Sequence, residues 1–78
     1  MAARGLDTNH PFFSALTPRE RDVMGYVAMG KPNKIIAAEL GVSQRTVEAH
    51  RARVFQKLQV RNAVELARCV MSQHLLAG

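Results

Sequence analysis

The chain is poor in several residue types, and each scarcity excludes a class of molecule. It contains a single cysteine, Cys69, which can close no internal disulfide and build no cysteine-rich zinc cluster. That usage fits a reducing compartment such as the cytoplasm. Aromatic residues make up 5% of the chain and tryptophan is missing, while Ala, Val, Leu and Arg dominate, a composition of helices rather than of a sandwich or barrel. No apolar run approaches the roughly 20 residues of a membrane span. Nor does a charged stub precede an apolar block at the N-terminus, so no signal peptide is read. The three histidines, His10, His50 and His74, share no ligand spacing. With no nucleophile–base pairing and no Gly-rich phosphate loop either, we expect no metal, no cofactor and no enzymatic activity.

What remains is informative. A length of 78 residues, 47% of them apolar, supports one domain with one modest core. The net charge is +5, and it is localised. Acidic and basic residues balance over positions 1–30 and again over 62–78. The middle holds Lys31, Lys34, Arg45, Arg51, Arg53, Lys57 and Arg61 against only Glu39 and Glu48. A basic focus of this kind marks a polyanionic partner, most often nucleic acid, unless it is merely a solvated helical face.

Residues 1–15 read as a leader or linker, with Gly5, Asn9 and Pro11 and no helical period. Phe12 and Phe13 are the exception, apolar enough that packing on the domain competes with a linker role. The domain proper is expected over 16–78. Its first helix is announced by Thr17 as N-cap, Pro18 at the first position and Glu20 completing a capping box. Met24, Val27 and Ala28, with Val23 beside them, form its core stripe, and Gly30 is its stop. A short second helix runs from Asn33 to Gly41 on Ile36, Ala37 and Leu40, leaving Ile35 off the stripe. After a very short turn, Ser43 caps a third helix reaching about Leu58, and two helices so joined are the helix-turn-helix signature.

The third helix buries Val47, Val54 and Leu58 at about 100° per residue. Arg51 and Phe55 flank that stripe on one side and His50 on the other. The opposite face presents Arg45, Glu48, Ala49, Ala52, Arg53 and Gln56, slim and hydrogen-bonding as a major groove about 12 Å wide requires. A fourth helix starts at Asn62 with Glu65 at the capping-box position. It carries two stripes: Ala63, Leu66, Val70 and His74 toward the core, and Val64, Arg68, Met71 and Leu75 about a third of a turn away. Two stripes exceed what one small core needs, so the second predicts a surface between two copies.

The run Leu16-Thr-Pro-Arg-Glu20, then Gly30-Lys-Pro-Asn-Lys34, Ile36-Ala37, Leu40, Val42-Ser43, Thr46-Val47-Glu48-Ala49-His50 and Lys57-Leu58, resembles the C-terminal domain of the LuxR/FixJ/NarL family of bacterial transcription regulators. The resemblance covers residues 16–76. It implies an all-α, four-helix domain in which helices 2 and 3 form the helix-turn-helix, the third enters the major groove and the fourth pairs two copies. It implies double-stranded DNA with an inverted-repeat operator as partner, RNA polymerase and a receiver domain as further ones, and no membrane. The chain itself carries no receiver, so it reads as an excised output domain of a response regulator or a small freestanding regulator, with the leader favouring the former. Departures from the family are Ile35, where relatives commonly carry a polar or acidic residue, and a short, less typical Arg61-Asn62.

Roles follow for individual residues. Arg45, Glu48, Ala49, Ala52 and Arg53 are candidates for the base edges: an arginine can grip guanine, a glutamate can accept from cytosine and an alanine can touch a thymine methyl. Positions matching Glu48, Ala49 and Ala52 face bases in relatives, which the resemblance carries over. Lys34, Ser43, Gln44, Thr46 and Lys57 are candidates for phosphate, where contact fixes register without reading sequence. Ser43 is also a plain N-cap. Arg51 is expected to pair with Glu20 or Glu39, and His50 to be a satisfied structural histidine, with phosphate contact second. A sigma-factor region-four module shares the motif but needs no dimer surface. A helical protein–protein adaptor would leave the basic focus unexplained.

Overall fold

A computed structural model of the chain describes residues 13–77, and side-chain surroundings through Ser72. It holds four helices: α1 (Pro18–Ala28), α2 (Asn33–Leu40), α3 (Gln44–Leu58) and α4 (Ala63–Ala77).

Local chemistry sets most boundaries. At the start of α1 the Thr17 hydroxyl accepts from the Glu20 N–H at 3.2 Å while a Glu20 carboxylate oxygen accepts from the Thr17 N–H at 2.9 Å, the reciprocal capping box that the sequence predicts. Gly41, at φ +71°, ends α2. Its N–H and that of Val42 both turn back to the Ala37 carbonyl. A left-handed residue here reverses the chain within two positions, which is what lets α3 start at once across α2. Ser43 then accepts from the Thr46 N–H at 3.1 Å.

The fourth helix departs from expectation in one detail. Asn62 caps it, accepting from the Glu65 N–H at 2.9 Å, but the Glu65 carboxylate reaches the N–H of Arg61, at 2.8 Å, rather than that of the cap residue. The box is therefore displaced one residue upstream.

The core sits where α1 packs against both α3 and α4 and where α2 packs against α3. Val23, Met24 and Val27 of α1 meet Ile36 and Ala37 of α2, Val47, Val54 and Leu58 of α3, and Leu66 and Val70 of α4. Leu16 and Phe13 complete it. Phe13, within the expected leader, is 1% exposed and packs in this core. Phe12 and residues 1–11 lie outside the described residues. Ile35, the residue off the α2 stripe, is exposed.

Candidate nucleic-acid interface

Burying Val47, Val54 and Leu58 fixes the rotation of α3, and the outer face follows from it. Arg45, Glu48, Ala49, Ala52 and Arg53 are all exposed, as are Ser43 and Gln44 at its start, while Thr46 is half-buried. Lys34 stands exposed in the first turn of α2. Neither Lys34, Arg45 nor Arg53 forms an ion pair with a described residue. The two alanines keep the middle of this face low, so a base edge could approach the helix between the longer side chains. Ser43 is occupied as a cap, and its hydroxyl also lies 3.0 Å from that of Thr46.

Two basic residues prove to be held internally. The Lys57 ammonium donates to a Glu20 carboxylate oxygen at 2.7 Å and to the Ala15 carbonyl at 3.1 Å. The Lys57 ammonium, one of the expected phosphate contacts, is thus engaged within the domain. Its side chain is 34% exposed, but its partner is only 2% exposed, so leaving would strand a buried carboxylate. The bond to Lys57 is the main reason the Glu20 carboxyl titrates below its ordinary 4.5; burial opposes it, and the Thr17 bonds add to it.

Arg51 is the second, and neither expected ion pair forms. Its guanidinium donates to the Asn33 side-chain oxygen at 3.2 Å and lies 5.2 Å from the centroid of the Phe55 ring. Glu39 lies instead toward Tyr26, and its hydrogen-bonding influence, followed by burial and the charges of Glu39 and Asp22, pushes the tyrosine pKa above its ordinary 10.0. His50 also differs from expectation, because its Nδ1 is buried with no hydrogen-bond partner.

Elsewhere on the surface α4 presents Val64 and Met71 at 66% and 63% exposure, with Arg68 exposed between them. Leu75 of that stripe lies outside the described side chains. An open groove of about 310 Å³ runs along it, and its other wall is the end of α1, at Val27, Ala28 and Gly30. Sequence periodicity could place the α4 wall but not the α1 wall, because the latter depends on how the two helices meet. Cys69 is half-buried, and burial, then the Glu65 charge, raises its thiol pKa, the reverse of a reactive thiolate. Among the described residues no group of acidic, histidine and cysteine side chains could hold a metal ion. No helix among them is long and apolar enough to cross a membrane.

Two helices joined by a left-handed glycine, with a buried stripe behind α3 and a basic, small-residue face in front, define a helix-turn-helix domain. Residues 14–70 match the family described as bacterial regulatory proteins, luxR family, and the chain belongs to that family. It is 57% identical over 53 residues to the transcriptional regulatory protein UhpA of Escherichia coli, covering 68% of this chain and 27% of that protein. To the transcriptional regulatory protein FixJ of Bradyrhizobium diazoefficiens it is 43% identical over 63 residues, or 81% of this chain and 31% of that one. Among solved structures, full-length FixJ from B. japonicum superposes with a TM-score of 0.68 at 45% identity, over 74% of this chain and 29% of that one. The response regulator StyR gives 0.75 at 43% identity, over 78% and 31%. The chain thus spans less than a third of these relatives.

Proposed function

We propose that this domain binds double-stranded DNA by sequence in the bacterial cytoplasm, as the output module of a transcription regulator of the response-regulator kind. The observation that carries the reading is the outer face of α3, where Arg45, Glu48, Ala49, Ala52 and Arg53 are exposed together opposite a fully buried stripe. On this reading those five residues approach base edges, while Lys34, Ser43, Gln44 and Thr46 meet the phosphates on either side. The module binds and does not catalyse. A receiver domain elsewhere in the intact regulator sets when it acts, and RNA polymerase reads the result.

Salt titration of binding to duplex DNA tests the electrostatic half. Affinity is expected to fall steeply with ionic strength, and Lys34→Ala to flatten that slope by about one unit, for specific and random duplexes alike. Lys57→Ala should leave the slope unchanged and lower the melting temperature instead, because its charge faces Glu20. A wild-type affinity indifferent to salt would sink the reading.

Selection from a random duplex pool tests the other half. Arg53→Ala and Glu48→Ala are expected to keep the fold, since both side chains are exposed, and to change the preferred sequence. Each lost base contact should weaken the original site by about 1–3 kcal/mol. An unaltered preference in both variants would mean that α3 is not the reader.

A further inference from the structure

The helix-turn-helix needs two registers at once: phosphates met at the start of α2, and bases met along α3. Apolar packing of Ile36 and Ala37 against Val47 holds the helices together, but such contacts are non-directional and permit sliding. A directional tie is present as well. Arg51, in the middle of α3, donates from Nη1 to the side-chain oxygen of Asn33 at 3.2 Å. Asn33 is the first residue of α2, and the residue before it, Pro32, supplies no side-chain cap. Lys34, the phosphate candidate, is its immediate neighbour.

The guanidinium also lies over the Phe55 ring, 5.2 Å from its centroid and one turn further along α3. A planar group held by both a ring and a hydrogen bond has little freedom; a lysine ammonium can make either contact but lacks the rigid planar fork that serves both at once. From these contacts we infer that Arg51 is a positioning residue for DNA binding. It reads no base and holds no phosphate; it fixes the first turn of α2, and with it Lys34, in register with the reading face of α3. The inference rests on the DNA-binding reading above. It also lowers the number of middle-segment cations available to DNA, because Arg51 joins Lys57 in facing the protein.

The test compares Arg51→Lys, Arg51→Met and Asn33→Ala, each alone and combined with Lys34→Ala, by binding to one selected duplex at several salt concentrations. Circular dichroism establishes which variants fold. A positioning role predicts that Arg51→Lys weakens specific binding about tenfold although the charge is kept, and that Asn33→Ala weakens it to a similar degree. Adding Lys34→Ala to either should then cost much less than it does in the wild type, because a displaced Lys34 has little left to lose. The salt slope of the double variant should equal that of Lys34→Ala alone. If Arg51→Met fails to fold, Arg51→Lys and Asn33→Ala carry the comparison.

Wild-type binding by Arg51→Lys, with Arg51→Met adding its own full unit to the loss of slope in Lys34→Ala, would identify a direct phosphate contact and overturn the inference while leaving the DNA-binding reading in place. A wild-type domain whose duplex binding is indifferent to salt would overturn both.

Discussion

Replacing Glu20 by alanine is expected to destabilise the domain by about 3 kcal/mol, a loss for which local helix propensity gives no warning. Glu20 is 1% exposed, yet it is charged and bonded twice over. One carboxylate oxygen accepts from the Thr17 N–H and from the Lys57 ammonium. Removing the side chain opens the capping box and strips a half-buried ammonium of its anion. Hydrogen bonds to charged groups contribute about 1.5–3 kcal/mol each, and breaking a buried pair from one side costs about 3–5 kcal/mol. The lower end applies, because the Lys57 side chain, at 34% exposure, can turn toward water. A domain of this size has roughly 0.05–0.15 kcal/mol of stability per residue, so the loss is a large share of the total. Thermal unfolding should show it as a fall of roughly 12–24 °C, at about 4–8 °C per kcal/mol.

The same carboxylate gives the domain a defined acid response. Its pKa in the folded state lies below the ordinary 4.5, so the stabilisation is complete above that ordinary value and is lost as pH falls through the folded one. Melting curves of the wild type should therefore deteriorate below about pH 4.5. In Glu20→Gln, which keeps an acceptor for Thr17 but has no charge to titrate, the melting temperature should begin lower at neutral pH and fall less on acidification. Equal acid sensitivity in both proteins would assign the acid response to other carboxylates.

The Glu20 pair also shows what the sequence could and could not convey. The bond between Glu20 and Thr17 spans three residues, and the capping box is legible as Thr-Pro-Arg-Glu. The bond between Glu20 and Lys57 spans 37 positions and leaves no periodic trace, so Lys57 reads from sequence as one more cation of the basic segment. Arg51 is a similar case: the helical period places it beside the core stripe, but a choice among Glu20, Glu39 and Asn33 depends on the crossing of α2 over α3. Boundaries follow the same rule. Gly30 and Gly41 are left-handed in the structure and visible in the sequence as stops. The end of α3 uses Gln59 at φ +57°, a residue with no such signature, so the end is signalled only by the fading of the apolar stripe. The exposed face of α3 is legible for the opposite reason, since a helix that buries Val47, Val54 and Leu58 has only one face left to expose.

Two copies of the domain are expected to occupy an inverted repeat cooperatively, and Val64→Asp combined with Met71→Asp is expected to abolish that cooperativity. Val64 and Met71 are two-thirds and nearly two-thirds exposed on α4, seven residues and so two turns apart. They border a groove whose far wall, Val27 and Ala28, is apolar too. The alternative, that Met71 and Leu75 cover Phe12 and Phe13 within one molecule, would need Met71 covered; Phe13 is enclosed while Met71 stays 63% exposed. Fully burying a Val or Met side chain contributes about 1.5–3 kcal/mol, and two-fold symmetry doubles every contact. Ordering and loss of rigid-body freedom offset much of that gain. Two large exposed apolar side chains on α4 are little against the roughly 1,000 Å² at which interfaces hold without help, so the free domain is expected to sediment as a monomer at ordinary concentrations. Adjacent half-sites about 10 base pairs apart change the balance by raising the effective concentration of the second copy. A net coupling of about 1–3 kcal/mol, or roughly 5–150-fold, is then expected between the two binding events. In gel-shift titrations of a full and a half site, the wild type should pass almost directly to the doubly bound species. The double variant, still folded by circular dichroism and binding the half site as the wild type does, should fill the two half-sites independently. The same coupling in both proteins would show that α4 does not join the copies; should the aspartates prevent folding, Val64→Ser combined with Met71→Ser carries the comparison.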